Sequence, residues 1–266
     1  MIILLSINSA FADQGGMIDL TDIEEYKEIN NLERLEYNSD ETEVERIEAI
    51  SEVAYLLGVQ TSVSYRYKKI TEQLENIAFK LDDLTNIKAL MLDDFVVPPV
   101  MSVIDGATKL INSKRIVQTD KSFKILKPSK MVLRPPTWRD YLLYMPKPID
   151  KPHPAVLPEN LKEKATWQKY LKKGWMDGQD HANNLFKLRW KKFLTDYKGM
   201  ITYHLLATQK IISSPNVNTS TDAVYLSDDG KELEINKKIW HIAKPMGFAE
   251  ERNWKVIVSS RRKNHE

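Results

Sequence analysis

Apolar residues recur every three or four positions from residue 44: Val44, Ile47, Ile50, Ala54 and Leu57, with Ser51 beside them. That spacing places them on one face of an amphipathic helix opening near Asp40. Asp40 or Thr42 supplies the cap, and acids in the first turn suit the positive end of the helix dipole. Gly58 is read as a break. Val63, Tyr67, Ile70, Leu74 and Ile77 then resume the stripe, so a second helix or a kinked continuation runs to about Phe79.

From residue 81 the period changes. Pro98-Pro99 excludes helix and pushes Val97 towards extended geometry. Residues 100–104, 111–119 and 122–132 carry β-branched side chains in partial alternation and read as short strands. Seven prolines between 134 and 158 mark an extended connection between two halves. A long helical region follows, to about Ile211, opened by Pro158-Glu159-Asn160. Residues 223–227 and 232–235 flank Asp228-Asp229-Gly230-Lys231, a strong hairpin signal. Residues 238–243 and 254–259 complete the strands. The order predicts an α+β fold: a mixed β core with N-terminal helices and one long helical region after a proline-rich linker.

On the long helix, Trp167, Leu171 and Trp175 share one face, as do Gly174, Gly178 and Ala182. Glycine costs about 1 kcal/mol against alanine inside a helix. Two at this spacing point to another backbone packed very close. Its owner is either a second subunit or another element of the same domain. Gly199 is either a helix break or a further close crossing.

Charge enters the picture locally. From 13 to 52 stand fourteen acids against Lys27, Arg34 and Arg46, and the first part, 13–40, is expected to be flexible. Over the whole chain 39 Lys and Arg balance 37 Asp and Glu, a net +2, without the basic excess typical of nucleic-acid binders. There is no cysteine, which removes disulfides, thiolate metal ligands and thiol nucleophiles. Residues 1–7 are apolar, and Ala10 and Ala12 fit the A-x-A pattern of signal peptidase, with cleavage before Asp13. The basic leader is missing and the run is short, as a start placed too far downstream would explain. The competing reading is an N-terminal strand. Residues 1–12 are thus expected to be a truncated signal peptide, and Arg261-Arg262-Lys263 to begin a solvated basic tail, 261–266.

A search for chemistry returns little. His153, His181, His204, His241 and His265 form no ligand spacing. There is no P-loop, dinucleotide fingerprint or nucleophile elbow. The acidic pairs Asp82-Asp83 and Asp93-Asp94 can be imagined around a cation, but no ligand loop surrounds them. A basic stretch, 187–192, holds Trp190 as a stacking group for nucleic acid, or is a solvated face, or faces the acidic segment. No catalytic, cofactor or metal site is expected.

The distinctive segment is Pro136-Thr-Trp-Arg-Asp-Tyr-Leu142. It stands with Val97-Pro-Pro-Val100, Phe123-Lys-Ile-Leu126 and Leu157-Pro-Glu-Asn160. Trp167, Tyr170, Gly174-Trp175, Gly178, Ala182-Asn183, Phe186, Tyr197 and Gly199-Met200 follow. Ser214-Pro215, Leu233-Glu-Ile-Asn236 and Trp254 end the series. In this combination the chain resembles, from about 47 to 258, the DotC family of type IVB secretion systems, called TraI-type in the IncI conjugation systems. The resemblance implies one domain over 41–260. It also implies an exported, non-catalytic subunit of the outer-membrane core complex. DotD-like and DotH-like proteins would be its partners in a homo-oligomeric ring, and it would assist the DotH-like protein at the outer membrane. No direct nucleic-acid binding is implied. The family's lipid anchor requires a cysteine that this chain lacks, so the expected location is periplasm and outer membrane, reached through partners.

Within the motifs, Trp138, Arg139 and Asp140 are expected to lock the linker to the core, a Trp packed beside an Arg–Asp pair, or to form a subunit contact. Trp167, Gly174, Trp175 and Gly178 carry the same two readings. The rivals to a structural role are an exported cell-wall hydrolase using Asp and Glu, and a cytoplasmic DNA-processing factor.

Overall fold

The computed structural model describes residues 20, 23–32, 43–226, 229, 231 and 233–255. The signal segment 1–12, most of the acidic segment, the tail 261–266 and most of the expected strand 254–259 lie outside the described residues. Within the acidic segment, Glu24–Asn30 forms a short helix, α1, whose Tyr26 is buried.

Residues Glu43–Asn76 form one uninterrupted helix of 34 residues, α2, and Gly58 does not break it. The buried positions Ile50, Ala54, Leu57, Thr61, Ile70 and Leu74 stay in helical phase across the glycine, with small polar Thr61 and Ser62 filling the gap between the two stripes. At the N-terminal end the stripe is shifted: Val44 is exposed and Arg46 is buried. A turn at Ile77 separates α2 from α3, Ala78–Leu84.

The second long helix, α5, runs over 48 residues, Leu161–Thr208, roughly 72 Å at 1.5 Å per residue. Asn160 caps it, its side chain accepting from the Glu163 amide at 2.9 Å. The Glu163 carboxylate reaches back to the Glu159 amide at 2.8 Å. This reciprocal cap explains why the helix starts where it does. At the other end Lys210 adopts φ 57°, and the amides of Lys210 and Ile211 turn back to the carbonyls of Ala207 and Leu206. This is a Schellman ending built without glycine.

The chain divides into two units: residues 1–84 with 138–192, and residues 85–137 with 193–266. In the first, Ile23, Tyr26, Ile50, Ala54, Leu57, Leu157, Trp167, Leu171 and Trp175 form the core. A five-residue helix, α4, Trp138–Leu142, opens the proline-rich connection.

The second unit holds the strands: β1, Val96–Val97, β2, Val100–Asn112, β3, Arg115–Lys127, β4, Lys130–Met131, β5, Asn216–Leu226, and β6, Leu233–Lys244. The α+β expectation holds. Among the described residues the expected mixed β core is realised as three separate two-stranded antiparallel sheets, β1–β4, β2–β3 and β5–β6. Residues 111 and 112 belong to the first ribbon strand, and Ser113-Lys114 make the turn that alternation alone did not locate. Likewise 233–244 is one strand that passes through Asn236 at φ 55°, a conformation asparagine tolerates. The sequence reading had split it in two. The core here is Met101, Tyr203, Leu206, Ile211, Ile212 and Met246, with Phe123, Ile125 and Trp254 against it.

Candidate functional site

The candidate residues Trp138, Arg139, Trp167, Gly174, Trp175 and Gly178 lie at two places, both within the first unit. At the first, α2 and α5 cross almost backbone to backbone. A Cβ built on Gly58 would stand 2.5 Å from the Leu171 carbonyl oxygen. One on Gly178 would stand 2.6 Å from that of Val59, and one on Gly174 would fall onto that of Tyr55. Only hydrogen fits in such gaps. The close neighbour of Gly174 and Gly178 is therefore α2 of the same chain, which decides between the two readings of the glycines. Ser62 donates to the Trp175 carbonyl at 2.6 Å and pins the crossing.

Trp167 and Trp175 flank this crossing and are buried. The Trp167 indole donates to the Ile29 carbonyl at 3.1 Å, and Tyr26 meets Trp175 edge-on at 5.2 Å. Both tryptophans thus hold α1 down on α5. Gly199 behaves as the other glycines do, within the second unit: its face meets Val100 and Met101 of β2, and the helix continues through it.

At the second place α4 is clamped. The buried Trp138 indole donates to Asp82 at 2.7 Å. Arg139 lies over the Trp138 ring, 4.2 Å from its centroid, and binds Glu75 through two nitrogens at 3.0 and 3.1 Å. Its remaining Nη reaches Asp82 at 3.1 Å. The expected Arg–Asp lock exists with different acids. Glu75 and Asp82 hold Arg139. Residue 140 follows Arg139 on one turn of helix, where adjacent side chains diverge, whereas α2 and α3 offer carboxylates from across the contact. Asp82 is thereby used as a hydrogen-bond acceptor for the clamp and not as half of a cation-binding pair. The Trp138–Arg139 clamp, on Glu75 of α2 and Asp82 of α3, is separate from the Trp167–Gly178 crossing.

A third cluster was not legible in sequence. Arg46 is buried and forks onto Glu163 at 3.0 and 3.1 Å, with its other hydrogens on the carbonyls of Ala155 and Leu157. Burial alone would raise the Glu163 carboxyl. The Arg46 hydrogen bonds, aided by the Glu159 and Asn160 contacts, outweigh it and hold the group below its ordinary value. The only hint in the sequence is a basic residue on the apolar side of a helix.

Beside α2 the proline-rich strap leaves a groove of about 800 Å³. Val53, Leu56 and Val63 line it from the helix, with Pro146 and Pro148 of the strap opposite. On α5, Arg189 donates to the carbonyls of Tyr141 and Leu143 at 3.2 and 3.4 Å. Trp190 is buried. Arg189 and Trp190 of the 187–192 stretch are therefore spent on holding the chain together, and Trp190 is no stacking platform. Among the described residues no three His, Asp or Glu side chains come together as a metal-binding group. No helix of the described residues is long and apolar enough to cross a membrane.

Compared with known protein families, the chain matches, over residues 44–256, the TraI model described as type IV secretory system, conjugal DNA-protein transfer. The chain belongs to this family and is a component of type IV secretion and conjugative transfer. Among the curated proteins none matches it significantly.

Proposed function

We propose that the chain is a structural, non-catalytic subunit of the outer-membrane core complex of a type IVB system, of DotC type. It is exported to the periplasm. It assembles there as a ring with DotD-like and DotH-like proteins and helps the DotH-like protein associate with the outer membrane. The carrying observation is the use of the family-type motif residues: Trp138, Arg139, Trp167, Gly174, Trp175 and Gly178 all go into closing helix contacts. None of them joins a cluster of titratable groups poised on a pocket. The hydrolase alternative gains no support, since Glu75 and Asp82 share one guanidinium.

The test is a pull-down of the tagged chain from detergent-solubilised envelopes, with mass spectrometry of what accompanies it. Recovery of DotD-like and DotH-like proteins in the outer-membrane fraction is expected. Recovery from the cytosol, alone or with nucleic acid, would refute both export and the assembly role.

A further inference from the structure

The β2–β3 ribbon is anchored only at its base, where Met101, Phe123 and Ile125 join the core of the second unit. Beyond it, every described side chain from 103 to 118 is exposed. An isolated two-stranded ribbon is marginal in water by itself, and this one ends in aliphatic residues. Leu110 and Ile116 are each 66% exposed and pair directly across the strands. The next rung pairs Lys109 with Val117, so its side chains point to the opposite face. Ile111 is also exposed. The end is therefore apolar on both faces.

Charge sorts the possible partners. Between Asp105 and Asp120 there is no acid, while Lys109, Lys114 and Arg115 surround the turn. Asn112 accepts from the Lys114 amide at 3.0 Å and holds that turn closed. In the sequence, by contrast, the segment that joins β5 to β6 is acidic, with Asp228, Asp229 and Glu232 against a single Lys231.

We propose that residues 109–117 form a membrane-contacting tip, which places its aliphatic side chains shallowly into an anionic lipid surface. Size favours lipid over a protein partner. A specific protein interface takes roughly 800 Å² from each partner, more than two rungs offer, and it usually covers one face. A bilayer surrounds a tip on both faces and adds headgroup attraction for each cation. From the Leu110–Ile116 rung to the turn is roughly 10 Å at 3.3 Å per residue, the depth of interfacial insertion, about 5–10 Å. The unpaired outer edges of the ribbon forbid going deeper, because their backbone groups need water.

This goes beyond the proposed function, in which partners bring the chain to the membrane, and the two fail in different experiments. Because the chain has no cysteine, Ser113→Cys in the full-length protein gives a single labelling site for a polarity-sensitive nitrobenzoxadiazole dye. With phosphatidylcholine–phosphatidylglycerol vesicles its emission should shift to the blue. Ser122→Cys, roughly 30 Å further down the ribbon, should not respond, and neutral vesicles should produce little shift at either site. Leu110→Asn with Ile116→Asn should lower sedimentation with the anionic vesicles roughly tenfold, and salt should weaken what remains. The proposal is overturned if the dye at 113 stays in water while the protein sediments. It is equally overturned if the protein does not sediment, or if the double variant sediments as before. The dye result is read in a chain with its apolar tip intact, so misfolding of the double variant does not shelter the proposal.

Discussion

Gly174→Ala tests the helix crossing most directly, because two opposing effects can be weighed. Alanine favours the isolated helix by about 1 kcal/mol. In the folded chain the new Cβ would fall onto the Tyr55 carbonyl oxygen and lie 2.9 Å from its carbonyl carbon and 3.1 Å from its Cα. All three are backbone atoms inside α2, so none can swing aside. Carbon–carbon contact is comfortable at about 3.5–4.0 Å, so the two helices must part by about 1 Å. Overpacking costs about 1–3 kcal/mol. Parting the helices also stretches the Ser62–Trp175 hydrogen bond and loosens the packing around Trp175. The crossing wins, with a net loss of about 2 kcal/mol and a melting temperature lower by about 4–8 °C. Thermal unfolding followed by far-ultraviolet circular dichroism measures it, with Lys172→Ala on the exposed side of the same helix as reference, expected within about 0.5 kcal/mol of the parent. A Gly174→Ala chain that melts at or above the parent would refute the reasoning, since helix propensity would then have prevailed.

Arg46→Ala should cost about 3 kcal/mol or more in denaturant unfolding, because it strands the buried Glu163 carboxylate. The Glu163 carboxyl is held below 4.5 in the folded chain, so its contribution is present above that pH and lost as pH falls through the folded value; Glu163→Gln should flatten the acid limb of a stability-against-pH curve. Burial pushes the Tyr67 hydroxyl up to about 12, against an opposing pull from Arg189. Stability should therefore decline from pH 10 towards 12 by about 2 kcal/mol, and Tyr67→Phe should remove that decline, with ultraviolet absorbance showing one fewer late-ionising tyrosine. Trp138→Phe should cost about 1 kcal/mol for the lost bond to Asp82, and Trp138→Ala about 3–5 kcal/mol for the vacated core position, both by denaturant titration.

The sequence by itself determined the kinds of element and their order. Helical and strand periods are local properties, and the glycine, tryptophan and proline positions lie in the chain for anyone to read. It also determined that Gly174 and Gly178 face another backbone, because glycine inside a helix is costly unless something needs the room. Whose backbone that is, only the tertiary structure decided: α2 lies more than a hundred residues earlier. The same distance hid the true meaning of Gly58, read locally as a break although it is the opposite wall of one crossing. It hid the acids that hold Arg139, since Glu75 and Asp82 meet it from another part of the chain, whereas Asp140 was merely its neighbour in sequence. The buried Arg46–Glu163 pair is the extreme case. Each residue alone looks like solvated charge, and its burial exists only once the two helix ends that carry them are brought together.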